Sequence, residues 1–559
     1  MSLLIPIIAS IILLTLGYLT YGAFLSKLLK LRADTKTPAY EFQNDTDFVP
    51  APTLYLLNQH LSAIAAAGPI VGPILAGTWF GWVPTFIWII FGGIFIGGVH
   101  DMLSIVASVR HQGRSIAEVI KETMGHKAYI VFLLFLWFSL IYIIAAFTDV
   151  TASTFVEPQR GAGVASSSML YLLLALVMGV TLRKWNLPLW LSSLIFLPLV
   201  IVCIYLGPIM PLNIFPLLGF DLKMSWNILL LSYCFVAAVI PVWLLLQPRG
   251  YLGGFFLTLT AGVSLIGLVV GSFTHSFIIQ FPALTGWRNP QGLPLLPLLF
   301  TTVACGACSG FHCLIASGTT SKQLARETDA RAVGYGGMLI ESFIAVMALG
   351  TLLILTTDQA KQLGDPNQIF ANGIATFLNC LGVPREFALN FALLAFATFV
   401  YDTLDVATRL GRYIFEELTG WKNKISPYAA TLLTLVLPLI FLAQKFTDAH
   451  GNVIPGWKMF WTVFGSSNQL LAAMVLFGLA LWLFKGRMNF KVALGPSIFM
   501  IVIAVSSLFL IIKPWLSGLL FQRKFMLDPV GVTCIVLIVL TAFLLIEGMK
   551  IFSLKRPKN

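Results

Sequence analysis

Fifteen apolar windows follow one another along the 559-residue chain, each close to the 20 residues or so that a helix needs to cross a bilayer core. They lie near 3–25, 60–80, 84–108, 127–147, 169–182, 188–207, 226–246, 251–273, 293–318, 333–357, 387–408, 428–446, 457–484, 493–513 and 529–550. Such a chain has few choices. In lipid every backbone donor and acceptor must be paired within the protein, so spanning segments are helices or closed barrels. Windows of this length, with 10% charged and 58% hydrophobic residues overall, specify an all-α polytopic membrane protein of about 15 spans. Window 169–182 is short, and 457–484 reads as a re-entrant piece followed by a span.

The net charge of +12 does not indicate nucleic acid, because the basic residues sit in short loops between apolar runs. Most fall in alternate loops, including Lys27, Lys30, Arg32, Arg110, Arg114, Arg183, Lys184, Arg249, Lys322, Arg409, Arg412, Lys422, Lys485, Lys555, Arg556 and Lys558. The positive-inside rule makes that side cytoplasmic, with the N-terminus outside and the C-terminus inside. Met1 to Leu25 lacks a basic start and a small-residue cleavage site, and reads as the first span. Seven cysteines, mostly inside apolar runs, give no disulfide framework. The phosphate-binding pattern GxxxxGK[ST] is absent, so no nucleotide partner is expected and driving force must come from a cation gradient.

Two spans carry interruptions. Gly68-Pro69 and Gly72-Pro73 fall in the second window, and Ile240-Pro241 falls in the seventh. Proline removes a backbone donor and glycine frees the chain to leave helical geometry. Broken spans in corresponding positions point to a transporter's binding site. Five windows apart and running in opposite directions, these two predict a five-plus-five inverted repeat. The expected division is 1–59 for the first span and a cytoplasmic connection, and 60–408 for the core, with repeats near 60–207 and 226–408. Peripheral spans then fill 409–559. Unwound backbone at Ala67–Pro73 and Val239–Val242 is expected to expose amides to a carboxylate and carbonyls to an ammonium or coupling cation.

The strings HLSAIAAAGPIVGPILAG (60–77), IPVWLLLQPRGYLGGFF (240–256), ACGACSGFHCLIASGTTSKQL (304–324), GYGGMLIESFIAVMAL (334–349), DTLDVATRLGRYI (402–414) and FGSSNQLLAA (464–473) resemble the carbon starvation protein A family of bacterial inner-membrane transporters. The resemblance implies uptake of small carbon compounds, peptides or pyruvate-like acids, with protons as one driving ion. It also implies the five-plus-five core of the amino acid–polyamine–organocation superfamily. His60 and His312 match family positions, as does the acid at Asp101; the family often has glutamine where this chain has His100. No cofactor is implied beyond a coupling proton or sodium ion, and the expected partners are a small-molecule substrate and the bilayer.

Substrate contact is expected from His60, Ala67, Gly68, Pro69, Gly72, Pro73, Pro241 and His312. Histidine's ordinary pKa of about 6.5 suits proton coupling. Ion coupling is expected from Asp101, Ser309, Glu341 and Asp402, because an acid at bilayer depth needs a partner, a cavity or a proton. Asp101 can alternatively pair with Arg110 or Arg114, and Asp405 with Arg409 four residues on. Cys305, Cys308 and His312 are expected to share one helix face, which makes a metal site conceivable. Gly306 and Gly310 read instead as a close-packing face. Asn468 and Gln469 read as scaffold outside the core. A channel and a metal-dependent membrane enzyme are the competing functional classes.

Overall fold

The computed structural model describes residues 1–44, 48–65, 67–241, 243–274, 277–421, 423–444, 446–447, 453–454, 456–521 and 529–553. Val242, Lys422, Lys555, Arg556 and Lys558 lie outside these. The fold is a helical bundle: α1 Leu4–Leu28, α2 Thr53–Ile64, α3 Gly68–Phe80, α4 Trp82–Arg110, α5 His126–Phe155, α6 Gly161–Lys184, α7 Leu189–Ile209, α8 Leu222–Val239 and α9 Leu246–Thr274. It continues with α10 Leu295–Val303, α11 Phe311–Gly318, α12 Glu327–Leu353, α13 Arg385–Thr419, α14 Ser426–Leu442, α15 Gly456–Lys485, α16 Lys491–Phe521 and α17 Pro529–Ser553. A two-residue antiparallel ribbon pairs Phe446–Thr447 with Val453–Ile454.

Among the described residues, 13 helices are long and apolar enough to cross a membrane, and the bent pair α2–α3 raises the number to 14. The 17-residue α14 is a shorter apolar helix. Each expected window falls on one of these segments. The short window near 169–182 belongs to the 24-residue α6. The segment 457–484 is one continuous helix of 30 residues, α15, rather than a re-entrant piece and a span.

Burial sorts centre from rim. Of the most apolar stretch in each span, 94% is buried in Leu295–Lys322 and 89% in Phe460–Lys485, against 28% in Leu4–Leu28 and in Leu189–Ile209. Thus α15 is central, not peripheral as its place in 409–559 led us to expect, whereas α7 lies at the rim.

The breaks also differ from expectation. Helix α2 ends at Ala65 (φ −83°, ψ 71°) and α3 begins at Gly68, bent by 49°. Pro69 stands in the first turn of α3, where a missing N–H costs nothing, so Gly68 to Pro73 are helical and the break lies ahead of Gly68. Pro241 breaks no span. It follows the end of α8, where Ile240 is already extended (φ −74°, ψ 158°), as a residue before proline tends to be. The second broken span is Leu295–Lys322. There α10 stops at Val303, Ala304 takes a left-handed φ of 46°, and regular helix resumes only at Phe311.

Candidate functional site

The two breaks lie against each other. A Cβ at Gly68 would meet Cys305 Sγ at 2.5 Å, and one at Gly72 would stand 2.7 Å from the Thr302 carbonyl oxygen. These glycines bring the α3 backbone into contact with the end of α10 and the 3₁₀ turn that follows it. Their role is close approach rather than unwinding, and Pro73 packs beside Gly306.

Unwinding at membrane depth frees carbonyls, and four around this break find side-chain donors. Trp461 Nε1 donates to the Thr302 oxygen (3.4 Å), Ser342 Oγ to that of Gly306 (3.1 Å), and Gln469 Nε2 to those of Ala304 (3.1 Å) and Cys308 (2.7 Å). Asn468 Oδ1 accepts from the Phe311 amide (3.0 Å) and from Ser309 Oγ (3.2 Å). Asn468 and Gln469 are therefore the splint of the second break, a role the reading as outlying scaffold missed. A polar pair inside an apolar window was the available signal. Gln469→Leu strands the buried Cys308 carbonyl and is expected to cost about 1–3 kcal/mol, read as a lowered melting temperature in detergent.

Ser309, expected at an ion site, is bonded to Asn468 and lies 3.3 Å from Cys305 Sγ. The break puts Cys305 in a 3₁₀ turn, Cys308 in irregular chain and His312 in α11, so no continuous helix aligns them. Among the described residues no three His, Cys, Asp or Glu side chains have the arrangement of a metal site.

Just past the break, His312 Nδ1 lies 2.8 Å from Asp101 Oδ2 of α4, and His312 Nε2 lies 3.3 Å from Glu341 Oε2 of α12. Asp101 Oδ1 is 2.7 Å from His100 Nδ1. All four side chains are fully buried. The His312–Glu341 contact has ion-pair distance without hydrogen-bond geometry, and both Glu341 oxygens lack a hydrogen-bond partner among the described residues. Asp101 thus pairs with histidines, while Arg110 goes to Glu327 at 2.7 Å. His60 stands on α2 with Nδ1 2.8 Å from Thr320 Oγ1.

A second buried network joins α2, α8, α9 and α13. Arg249, 1% exposed, donates from Nε to Asp402 Oδ1 (2.6 Å) and from Nη1 to the Tyr233 hydroxyl, and it forms an ion pair with Asp405. Tyr233 donates to Asp405 (2.7 Å) and Ser62 to Asp402 (2.7 Å). Asp405 is therefore not paired with Arg409. Arg409 Nη2 donates to the carbonyls of Ala237 (2.7 Å) and Ile240 (2.6 Å), and Arg412 Nη1 to Ala238 (2.8 Å), which caps α8 ahead of Pro241. Arg249 read as a loop charge in the sequence; burial in α9 makes it the centre of this network.

The carbon starvation protein CstA family model matches residues 2–370 and 360–507. The chain belongs to that family. It is 32% identical to peptide transporter CstA of Escherichia coli strain K12 over 574 residues, covering 90% of this chain and 80% of the relative. The corresponding protein of Campylobacter jejuni is 32% identical over 563 residues, covering 89% and 78%. Pyruvate/proton symporter BtsT of E. coli K12 is 30% identical over 560 residues, covering 84% and 76%. Family members are transporters by name, and this chain is a multi-pass membrane transporter rather than an enzyme. Among solved structures, that of MhsT with L-phenylalanine aligns at a TM-score of 0.47 and 11% identity, over 89% of this chain and 99% of that one.

Proposed function

We propose that the chain imports small carbon compounds, peptides or pyruvate-like carboxylates, across the bacterial inner membrane by alternating access, driven by the proton gradient. The observation that carries this is His312. It stands between Asp101 and Glu341 in the first turn after the break within one span, and that break lies against the other broken span. Two acids and two imidazoles in a fully buried cluster form a place where one proton changes the balance of charge. The proton named in a relative's title, pyruvate/proton symporter, agrees with it. Ser309 and Asp402 have other partners here, so Asp101 and Glu341 are the better coupling groups.

An inverted repeat supports alternating access, with boundaries redrawn. One unit is α2–α3, α4, α5, α8 and α9; the other is α10–α11, α12, α13, α14 and α15. The hairpin α6–α7 is an insertion in the first. Packing obeys the exchange of units. Helix α5 packs on α13 and α8 on α14, pairs that map onto themselves. Contacts α5–α14 and α9–α13 have their counterparts in α13–α8 and α15–α5. Each broken span packs on the last helix of its own unit and on the second helix of the other. The broken spans are seven crossings apart, an odd number, so they run in opposite directions.

Glu341→Gln tests the coupling role. In proteoliposomes it is expected to reduce uptake driven by a pH gradient about tenfold or more, and to flatten the pH dependence of equilibrium exchange. Gradient-driven uptake and a pH profile both like those of the unaltered protein would exclude Glu341 from coupling.

A further inference from the structure

Three cavities of about 70, 420 and 790 Å³ adjoin along α13, with Gln247 and Gln323 in the wall of each. The smallest is lined by Asp402, His60, Ser62 and Arg249; the 420 Å³ cavity reaches Arg409, and the largest adds Arg412 and Arg183. Asp402, Val406 and Arg409 recur at i, i+4 and i+7, so a single face of α13 lines the series from an acid at one end to a base at the other.

The charges at the two ends have opposite surplus. Around Arg249 two carboxylates face one guanidinium, so the second negative charge there has no cation of its own in direct contact and feels Arg409 only at longer range. Gln59 Oε1, an acceptor, and His60 Nε2, whose role follows the tautomer, are buried there without a hydrogen bond among the described residues. That end suits a donor-rich cation. At the other end Arg409, 7% exposed, donates to backbone carbonyls, and among the described residues it has no carboxylate in ion-pair contact and no hydrogen bond at Nε. Glu417, the acid on that wall, accepts from the Tyr129 hydroxyl. That end suits an anion.

Seven residues of helix separate the two by about 10 Å along the axis. A peptide advances about 3.3–3.6 Å per residue when extended, so three residues cover the same distance. We propose that the face of α13 from Asp402 to Arg409 reads a zwitterionic cargo, its ammonium at Asp402 and its carboxylate at Arg409. Such a site favours short peptides over 2-oxo monocarboxylates, which have no ammonium. The proposal rests on the importer reading above and narrows its substrate class.

The test is competition against labelled trialanine in proteoliposomes holding the full chain, with trialanine, N-acetyl-trialanine, trialanine amide and pyruvate as competitors. Both capped peptides and pyruvate are expected to compete about tenfold more weakly than trialanine, or worse. Asp402→Asn should erase the preference for a free amine, and Arg409→Gln the preference for a free carboxylate, which Arg409→Lys should restore. Because Arg409 also caps α8, the competitor series on the unaltered protein carries the test if Arg409→Gln does not fold. Uptake in which capped peptides or pyruvate compete as well as trialanine overturns this proposal and leaves the importer reading intact. Failure of the unaltered protein to take up either trialanine or pyruvate under any imposed gradient overturns both.

Discussion

Arg249→Ala is expected to cost about 3–5 kcal/mol of stability and to eliminate transport. Removing one partner of a buried ion pair is far more damaging than removing the pair, because the remaining charges stay in a medium that cannot solvate them. Here two are left, since Asp402 and Asp405 both rely on Arg249 and neither is more than 4% exposed. Asp402 keeps Ser62 and Asp405 keeps Tyr233, which soften the loss without supplying a positive charge. Combining Arg249→Leu with Asp402→Asn and Asp405→Asn should recover most of the stability but not the transport. Thermal unfolding in detergent, beside uptake in proteoliposomes, separates the two effects. An Arg249→Ala protein that melts like the unaltered one would mean the network carries no structural weight.

The second large effect is at Gly72, where a methyl group is expected to prevent the two breaks from meeting. The added carbon would stand 2.7 Å from the Thr302 oxygen and 2.9 Å from the Val303 carbonyl carbon, and backbone atoms in a packed break cannot step aside. Gly72→Ala should therefore cost about 3 kcal/mol or more, at the upper end of overpacking penalties. Gly262→Ala in α9 is the control, because a Cβ there meets nothing within 4 Å and alanine favours helix. Melting temperatures moving in opposite directions for the two variants would support backbone contact at Gly72; equal small shifts would refute it.

The apolar windows were legible because bilayer thickness fixes their length, and they fall on helices throughout the chain. The breaks were legible only in part. Proline drew attention to Pro241, but a proline next to a helix end simply closes it, and Arg409 and Arg412 complete the closure from a distant helix. The true second break contains no proline. It depends on glycines and small residues that a sequence pattern assigns equally well to close packing, and on Asn468 and Gln469 from more than 150 residues away. Long-range capping of that kind leaves no local signal. The acids Asp101 and Glu341 stood out because lipid makes a lone carboxylate costly, yet their meeting at His312 required the fold. Arg249 was misread for the opposite reason: a basic residue between apolar runs is ordinarily a topology signal.

Proton-coupled import requires protons to enter together with cargo. Purified protein is reconstituted into vesicles holding a pH-sensitive dye, with no gradient imposed at the start, and trialanine or pyruvate is added outside. Lumenal acidification is expected to follow cargo entry and to disappear in Glu341→Gln. Cargo entry with an unchanged lumenal pH would contradict it.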